Sequence, residues 1–265
     1  MNLASHHSPG ARVDEIERGW QLSIPSGKAD HYRFAQLDDY TQVSWRLFPH
    51  RFGLSPSTSV STGSTQRLRT SLSLLARTST KSIAGTWGFG LWNDPFGLSL
   101  GFGGNPFRLP ALPNAVWFFS ASEENYLSFS EGRTHRSAPT HGFMAQTFRS
   151  PNFHPLLIPA GLALPFSRKA TRRLLGKIIG EDGIALSVDV SQWHRYSLTW
   201  EEKRVSLEVD EVQVFESPVS PNPPLGLVIW IDNQYAAFTP EGKIAMGVLQ
   251  NEEAWLEITD LEFVK

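Results

Sequence analysis

Residues 193–217, WHRYSLTWEEKRVSLEVDEVQVFES, alternate apolar and polar side chains and reverse direction twice. Tyr196, Leu198 and Trp200 share one face, and EEKR turns the chain. Val205, Leu207 and Val209 return on one face, and Asp210–Glu211 turns the chain again into Val212 and Val214. A period of two is a strand period, so three such runs joined by tight turns make an antiparallel meander. A ribbon with one apolar face has to bury it against a second layer. That requirement commits the chain to packed sheets.

The rest of the sequence follows the same rhythm. Trp20, Leu22 and Ile24 alternate as a first strand, and Tyr32, Phe34 and Leu37 suggest a second. LRTSLSLLAR (68–77, with Leu68, Leu72, Leu74 and Leu75) is a further strand, after the exposed Ser/Thr-rich loop 55–66. GTWGFGLWND (85–94) sets Trp87, Phe89 and Leu91 on one face and glycines opposite, where a backbone or ligand comes close. A Gly/Pro loop (95–114) leads to AVWFFSAS, NYLSFSE and HGFMAQTFRS. ALSVDV, the ribbon, LGLVIWIDN and AWLEITDLEFV complete the run of strands. Strands this closely spaced, with turn residues between them and no βαβ rhythm, predict an all-β fold. The fold class expected is a two-sheet antiparallel β-sandwich with one inserted amphipathic helix. Residues 1–15 read as a flexible tail, and 16–265 as a single domain with a loop–helix insertion at about 151–183.

The helix is SRKATRRLLGKIIG, with Ser167 as N-cap and Gly180 past its end. Ala170, Leu174, Leu175, Ile178 and Ile179 form the expected buried stripe. Arg168, Lys169, Arg172, Arg173 and Lys177 form the expected solvent face. Such a helix packs on the sandwich, or lies on an anionic membrane surface or a protein partner through residues 167–180.

Composition excludes several classes. The 265 residues are 40% hydrophobic and 19% charged, enough apolar matter for a sizeable core. A net charge of -2 gives no nucleic-acid footprint, so no nucleic-acid partner is expected. With Cys 0, disulfides, thiolate metal sites and cysteine nucleophiles are ruled out. The histidines show no metal-ligand spacing, and GFGGNP (101–106) lacks the Lys-Ser/Thr of a phosphate-binding loop, so no cofactor and no metal is expected. The first residues carry no apolar signal segment, and no run of about 18 apolar residues exists. Cytoplasmic localisation is the default expectation.

Four segments, in order, resemble one family. The ribbon is similar to the Phe/Trp-His-x-Tyr-x-φ-x-Trp stretch of laminarinase- and lichenase-type glycoside hydrolases, members of the concanavalin A-like lectin and glucanase superfamily. GTWGFGLWND resembles their Gly-Thr-Trp strand, PPLGLVIWIDN (223–233) their Pro-φ-x-φ-φ-φ-Asn strand, and WLEITDLEFV (255–264) their closing strand. The resemblance covers about 85–131 and 185–265, and it implies a jelly-roll sandwich with a glycan site on a concave face. It also implies a structural calcium near the closing-strand acid, here Asp260. Two positions depart from the pattern. Glu211 stands where the family has a turn glycine, and PNAVWFFSASEE (113–124) has no carboxylate in its strand where the family carries Glu-φ-Asp-φ-(φ)-Glu.

On that scaffold the candidate ligand-binding residues are Trp87, Trp92, Asn93, Asp94, Trp117, Trp230, Asp232, Asn233, Gln234 and Tyr235. Aromatic faces stack on sugars, and amides or carboxylates bond their hydroxyls. Glu123, Glu124 and Asp232 are the carboxylates left for acid/base chemistry. Three readings are open. The first is polysaccharide or oligosaccharide binding without the retaining mechanism. The second is a glycoside hydrolase or polysaccharide lyase with relocated carboxylates. The third is an interaction or membrane-surface module using the basic helix.

Overall fold

The computed structural model describes residues 3–39, 69–93, 112–129, 139–151 and 166–264. In chain order the strands are β1 (Ala4–His7), β2 (Arg12–Ile16), β3 (Gly19–Ile24), β4 (Phe34–Asp38), β5 (Arg69–Thr78), β6 (Thr86–Trp92), β7 (Ala115–Ala121) and β8 (Gly142–Arg149). Helix α1 (Arg168–Ile178) follows, then β9 (Gly180–Ala185), β10 (His194–Glu201), β11 (Arg204–Val209), β12 (Val212–Ser217), β13 (Gly226–Asp232), β14 (Gln234–Phe238), β15 (Ile244–Val248) and β16 (Ala254–Val264).

These strands build two seven-stranded antiparallel sheets, the sandwich the alternation predicts. Sheet A runs β1-β4-β13-β6-β7-β8-β9, sheet B runs β12-β11-β10-β5-β16-β3-β2, and β14-β15 form a separate hairpin. Between the sheets, every second residue is buried. Trp87, Phe89 and Leu91 of β6 and Phe118 of β7 meet Leu72 and Leu74 of β5, Tyr196, Leu198 and Trp200 of β10, and Ile258 of β16. Phe89, Phe118 and Tyr196 interlock with ring centroids 5.0–5.6 Å apart. The ribbon is β10–β12, and its second turn holds Asp210 and Glu211 at φ 50° and 66°. Both residues are left-handed, the geometry a type I′ turn requires, although neither is glycine.

The structure differs from the sequence reading at several places. Residues 4–7 and 12–16 are edge strands rather than a tail. β1 pairs with β4, β2 pairs with β3, and Ala11 between them is buried. Edge strands are held by backbone hydrogen bonds on one side, so a polar sequence such as RVDEI serves. Of NYLSFSE, the described residues 125–129 form only an isolated bridge at Tyr126, and the strand expected at 185–190 lies earlier, at Gly180–Ala185. The hairpin β14–β15 carries no strong alternation and is not anticipated. Loop 55–66, the Gly/Pro loop up to residue 111, and residues 152–165 lie outside the described residues. Among the described residues no helix is long and apolar enough to cross a membrane.

Helix α1 begins as expected, with Ser167 Oγ accepting from Ala170 N at 3.3 Å. Its buried face is rotated from the expected stripe. Thr171, Arg172 and, just past its end, Ile179 are buried, Leu175 is half-buried, and Ala170 is exposed. Arg172 therefore belongs to the inner face, a correction to the solvent face predicted from sequence.

Candidate functional site

Strand pairing places two rows of side chains on the outward face of sheet A. Across β4, β13, β6, β7 and β8, one row reads Asp38, Val228, Gly90, Trp117, Gln146, and the next reads Gln36, Trp230, Gly88, Phe119, Met144. The glycines of GTWGFGLW now have a physical reason. A Cβ at Gly88 would lie 2.9 Å from Trp230 Cη2, and one at Gly90 would lie 2.6 Å from Trp117 Cβ. The close approach expected at these glycines is made first by the neighbouring strand's backbone, Phe118 O at 2.4 Å and Val116 O at 2.5 Å, with the Trp230 indole next at Gly88.

Trp92, Trp117, Phe119, Phe148 and Trp230 form one aromatic cluster on this face. Trp117 sits at its centre, with ring centroids 5.4 Å from Trp92, 5.2 Å from Phe119, 6.2 Å from Phe148 and 5.5 Å from Trp230. The cluster is covered. Leu175 and Ile179 from helix α1 and its end, together with Leu112, Leu127 and Phe129, pack against it. Trp117 and Trp230 are only 7% and 8% exposed, so neither offers a ring face to a ligand in this arrangement. The outward face of sheet A thus carries a second core.

The indole N–H groups are served by polar side chains at the flanks. Trp117 Nε1 donates to Gln146 Oε1 at 3.3 Å, and Gln146 Nε2 donates to Glu181 Oε1 at 3.1 Å. Glu181 Oε2 accepts from Phe129 N at 2.7 Å. Trp230 Nε1 donates to Thr86 Oγ1 at 3.0 Å, and Thr86 Oγ1 in turn donates to Asp232 Oδ1 at 2.9 Å. Trp92 Nε1 is buried with no hydrogen-bond partner among the described residues. Gln146 and Glu181 are not among the residues singled out from sequence. The alternation of HGFMAQTFRS puts Gln146 on the face of Met144 and Phe148, a signal that could have found it.

The remaining sequence candidates divide. Trp87 lies between the sheets, stacked on Phe143 at 5.1 Å, and faces away from this surface. Asn93 ties the stem of the β6–β7 connection, with Nδ2 donating to Leu112 O at 2.9 Å and Oδ1 accepting from Asn114 N at 3.0 Å. Asn233 is fully buried, with Oδ1 on Arg33 N and Nδ2 on His31 O and Leu249 O. Gln234 is buried as well. Asp94 lies outside the described residues.

Asp232 is buried, and its Oδ1 also accepts from Thr86 N and Gln234 N while Oδ2 accepts from Tyr32 Oη at 3.2 Å. Burial pushes its carboxyl up to about 6, against the opposing pull of these hydrogen bonds. Glu123 and Glu124 occupy an exposed turn after β7 and are not among its partners.

Glu123, Glu124 and Tyr235 meet elsewhere. Beyond the end of sheet A where β13 and β7 finish, segment 122–129 runs beside β14. Tyr126 N donates to Ala236 O, Phe238 N donates to Tyr126 O, and Asn125 Oδ1 accepts from Ala236 N, each at 3.0 Å. Between this segment and the hairpin lies an open groove of about 510 Å³. Tyr126 and Tyr235 line it, with Ala237, Ala245, Val248 and Leu249 as apolar lining and Glu123, Glu124, Thr239 and Lys243 among the polar lining. Arg172 holds both walls from behind. Its Nε donates to Phe238 O at 2.7 Å, its Nη2 donates to Ser128 O at 2.8 Å, and its Cζ lies 5.5 Å from the Tyr126 ring centroid.

No metal centre assembles at the acid the resemblance singled out. Asp260 is ion-paired with Arg18 at 2.7 Å, and no group of three possible metal ligands converges among the described residues. His194 bridges Asp210 Oδ2 at 2.6 Å and Asp189 O at 3.2 Å, a clamp on the ribbon turn.

No family model and no curated protein matches the sequence. Among solved structures the chain is similar to a legume lectin-like domain from Entamoeba histolytica, with a TM-score of 0.45 and 11% identity over 100% of this chain and 90% of that one. It is similar to the carbohydrate recognition domain of Emp47p, with a TM-score of 0.46 and 11% identity over 100% of this chain and 88% of that one. A glycoside hydrolase family 16 endo-glucanase from Bacteroides ovatus gives a TM-score of 0.43 and 8% identity over 99% of this chain and 94% of that one. All three TM-scores lie below 0.5, so function has to be read from this chain's own residues.

Proposed function

We propose that this chain is a saccharide-binding β-sandwich whose ligand lies in the groove between turn 122–126 and hairpin β14–β15. The observation that carries the reading is that Tyr126 and Tyr235 line one groove together with apolar residues and with two exposed carboxylates, Glu123 and Glu124. A pyranose has one apolar C–H face and a ring of hydroxyls. Tyrosine rings suit the first and carboxylate acceptors the second, and about 510 Å³ falls in the range of small-ligand clefts.

Register argues against a glucanase-type carboxylate pair on the outward face of sheet A. The outward positions of β7 are Ala115, Trp117, Phe119 and Ala121, none of them ionisable. The outward carboxylates found on sheet A are Asp38, Asp232 and Glu181, on β4, β13 and β9. At ~4.8 Å between strands and ~3.3 Å per residue, Asp38 and Asp232 are separated by roughly 14 Å and Glu181 lies farther still. Glycosidase pairs sit about 5–5.5 Å apart when retaining and about 6.5–9.5 Å when inverting. Helix α1 enters this reading as the back wall of the site rather than as a membrane anchor, because it turns Thr171, Arg172 and Leu175 toward the protein.

Screening the full chain on an array of neutral and acidic oligosaccharides, then titrating each hit against Tyr235→Ala, tests the reading. It predicts at least one saccharide ligand whose affinity drops in the variant. An array without hits, or hits indifferent to Tyr235, would overturn it.

A further inference from the structure

The outward face of sheet B carries an aromatic feature remote from the groove. Register sets Gln21 of β3, Glu257 of β16 and Arg77 of β5 in one row. Glu257 is buried, and each of its oxygens takes one donor, from Gln21 Nε2 and from Arg77 Nε, both at 2.7 Å. This fixes the plane of the guanidinium. Two indoles close on it, with Arg77 Cζ 4.7 Å from the Trp193 ring centroid and 5.3 Å from that of Trp255.

Trp193 is 39% exposed, which makes it the most exposed tryptophan among the described residues. One of its faces rests on the cation, so its exposed part is the opposite face and edge. The terminal nitrogens of Arg77 make no hydrogen bond to a described residue, and the side chain is 37% exposed. An indole held on one side by a fixed cation, with unused N–H donors at its edge, is preorganised for a ligand. Its surroundings favour a hydroxylated ligand over a protein surface. The turn leading into Trp193 is polar and ordered, with Lys81 Nζ 2.8 Å from Asp189 Oδ2 and Ser191 Oγ donating to Asp189 Oδ1 at 2.6 Å, whereas the centre of a protein interface is ringed by contacts that exclude water.

We propose that Trp193 and Arg77 form a second saccharide platform, on which a pyranose stacks against the indole while a ring hydroxyl accepts from Arg77 Nη. The platform shares with the groove the class of ligand and none of its residues. Isothermal titration of the full chain with a soluble hexasaccharide identified by array screening provides the test, alongside Trp193→Ala, Arg77→Met and Tyr235→Ala. The expected result is two sites in the native chain. Trp193→Ala should remove one and leave the other, and Arg77→Met should weaken the same site about tenfold.

Two sites in Trp193→Ala, or a single site lost only with Tyr235→Ala, would overturn the platform and leave the groove standing. A single site lost only with Trp193→Ala would overturn the groove and leave the platform standing. Should Trp193→Ala instead abolish concentration-dependent self-association in sedimentation while saccharide binding is unchanged, the face is a protein contact and the proposal fails.

Discussion

Asp232→Asn is expected to change how stability depends on pH while leaving the local hydrogen bonds in place. The Asn Oδ1 can keep the three donors now on the carboxylate, Thr86 N, Thr86 Oγ1 and Gln234 N, while its amide N–H donates to Tyr32 Oη, which reverses its role. What is removed is a proton equilibrium. Burial raises the folded-state carboxyl from 3.8 to about 6. Between those values the folded protein holds a proton that the unfolded chain releases. The contribution of Asp232 to stability is therefore full below pH about 4 and lost as the pH rises through about 6. The difference between 3.8 and about 6 corresponds to on the order of 3 kcal/mol. Urea unfolding of both proteins from pH 4 to 7.5, followed by tryptophan fluorescence, gives the difference directly, and contributions from other acids cancel. The variant should gain on the wild type by up to about 3 kcal/mol as the pH rises through this window. A difference that stays flat, or grows toward low pH, would refute the reasoning.

Other outcomes are set by the packing. Arg172→Met keeps the stem but strips donors from two carbonyls, Phe238 O and Ser128 O, so a loss of about 2–4 kcal/mol is expected in urea midpoints, while exposed Arg173→Met stays within about 0.5 kcal/mol. Gly88→Ala sets a Cβ 2.4 Å from Phe118 O and 2.9 Å from Trp230 Cη2; a cost of about 1–3 kcal/mol and an altered near-ultraviolet tryptophan dichroism are expected. Phe118→Ala, in the packed centre of the sandwich, should cost about 3–5 kcal/mol by thermal unfolding.

Strand periodicity makes much of the architecture legible. The ribbon, β3, β5 and β16 are marked by alternation, β7 and β13 by short apolar runs between turn residues, and Ser167 marks the helix start. What escapes is set by context. β1 and β2 are polar because an edge needs only its backbone, and β14–β15 (QYAAF and IAMGV) lack a period-two alternation of apolar and polar residues. The scaffold the resemblance implies sets the tryptophans of β6, β7 and β13 at a ligand face; Trp92, Trp117 and Trp230 share the outward face of sheet A, whereas Trp87 lies between the sheets. Alternation does not say what else lies on a face. The helix covers these rings, so an expected platform is an inner layer. Arg172 escapes for the same reason, since a long cation on a helix is buried only when distant carbonyls happen to receive it. The groove joins residues more than 100 positions apart, and its tyrosines carry no pattern of their own.

Affinity electrophoresis in native gels containing laminarin, lichenan or xyloglucan, each stained afterwards for intact polymer, tests the central claim most directly. The wild-type chain is predicted to be retarded on at least one polymer without a cleared zone, Tyr235→Ala to be retarded less, and the double variant Tyr235→Ala/Trp193→Ala to migrate as in a gel without polymer. A cleared zone, or retardation that Tyr235→Ala leaves untouched, would contradict it.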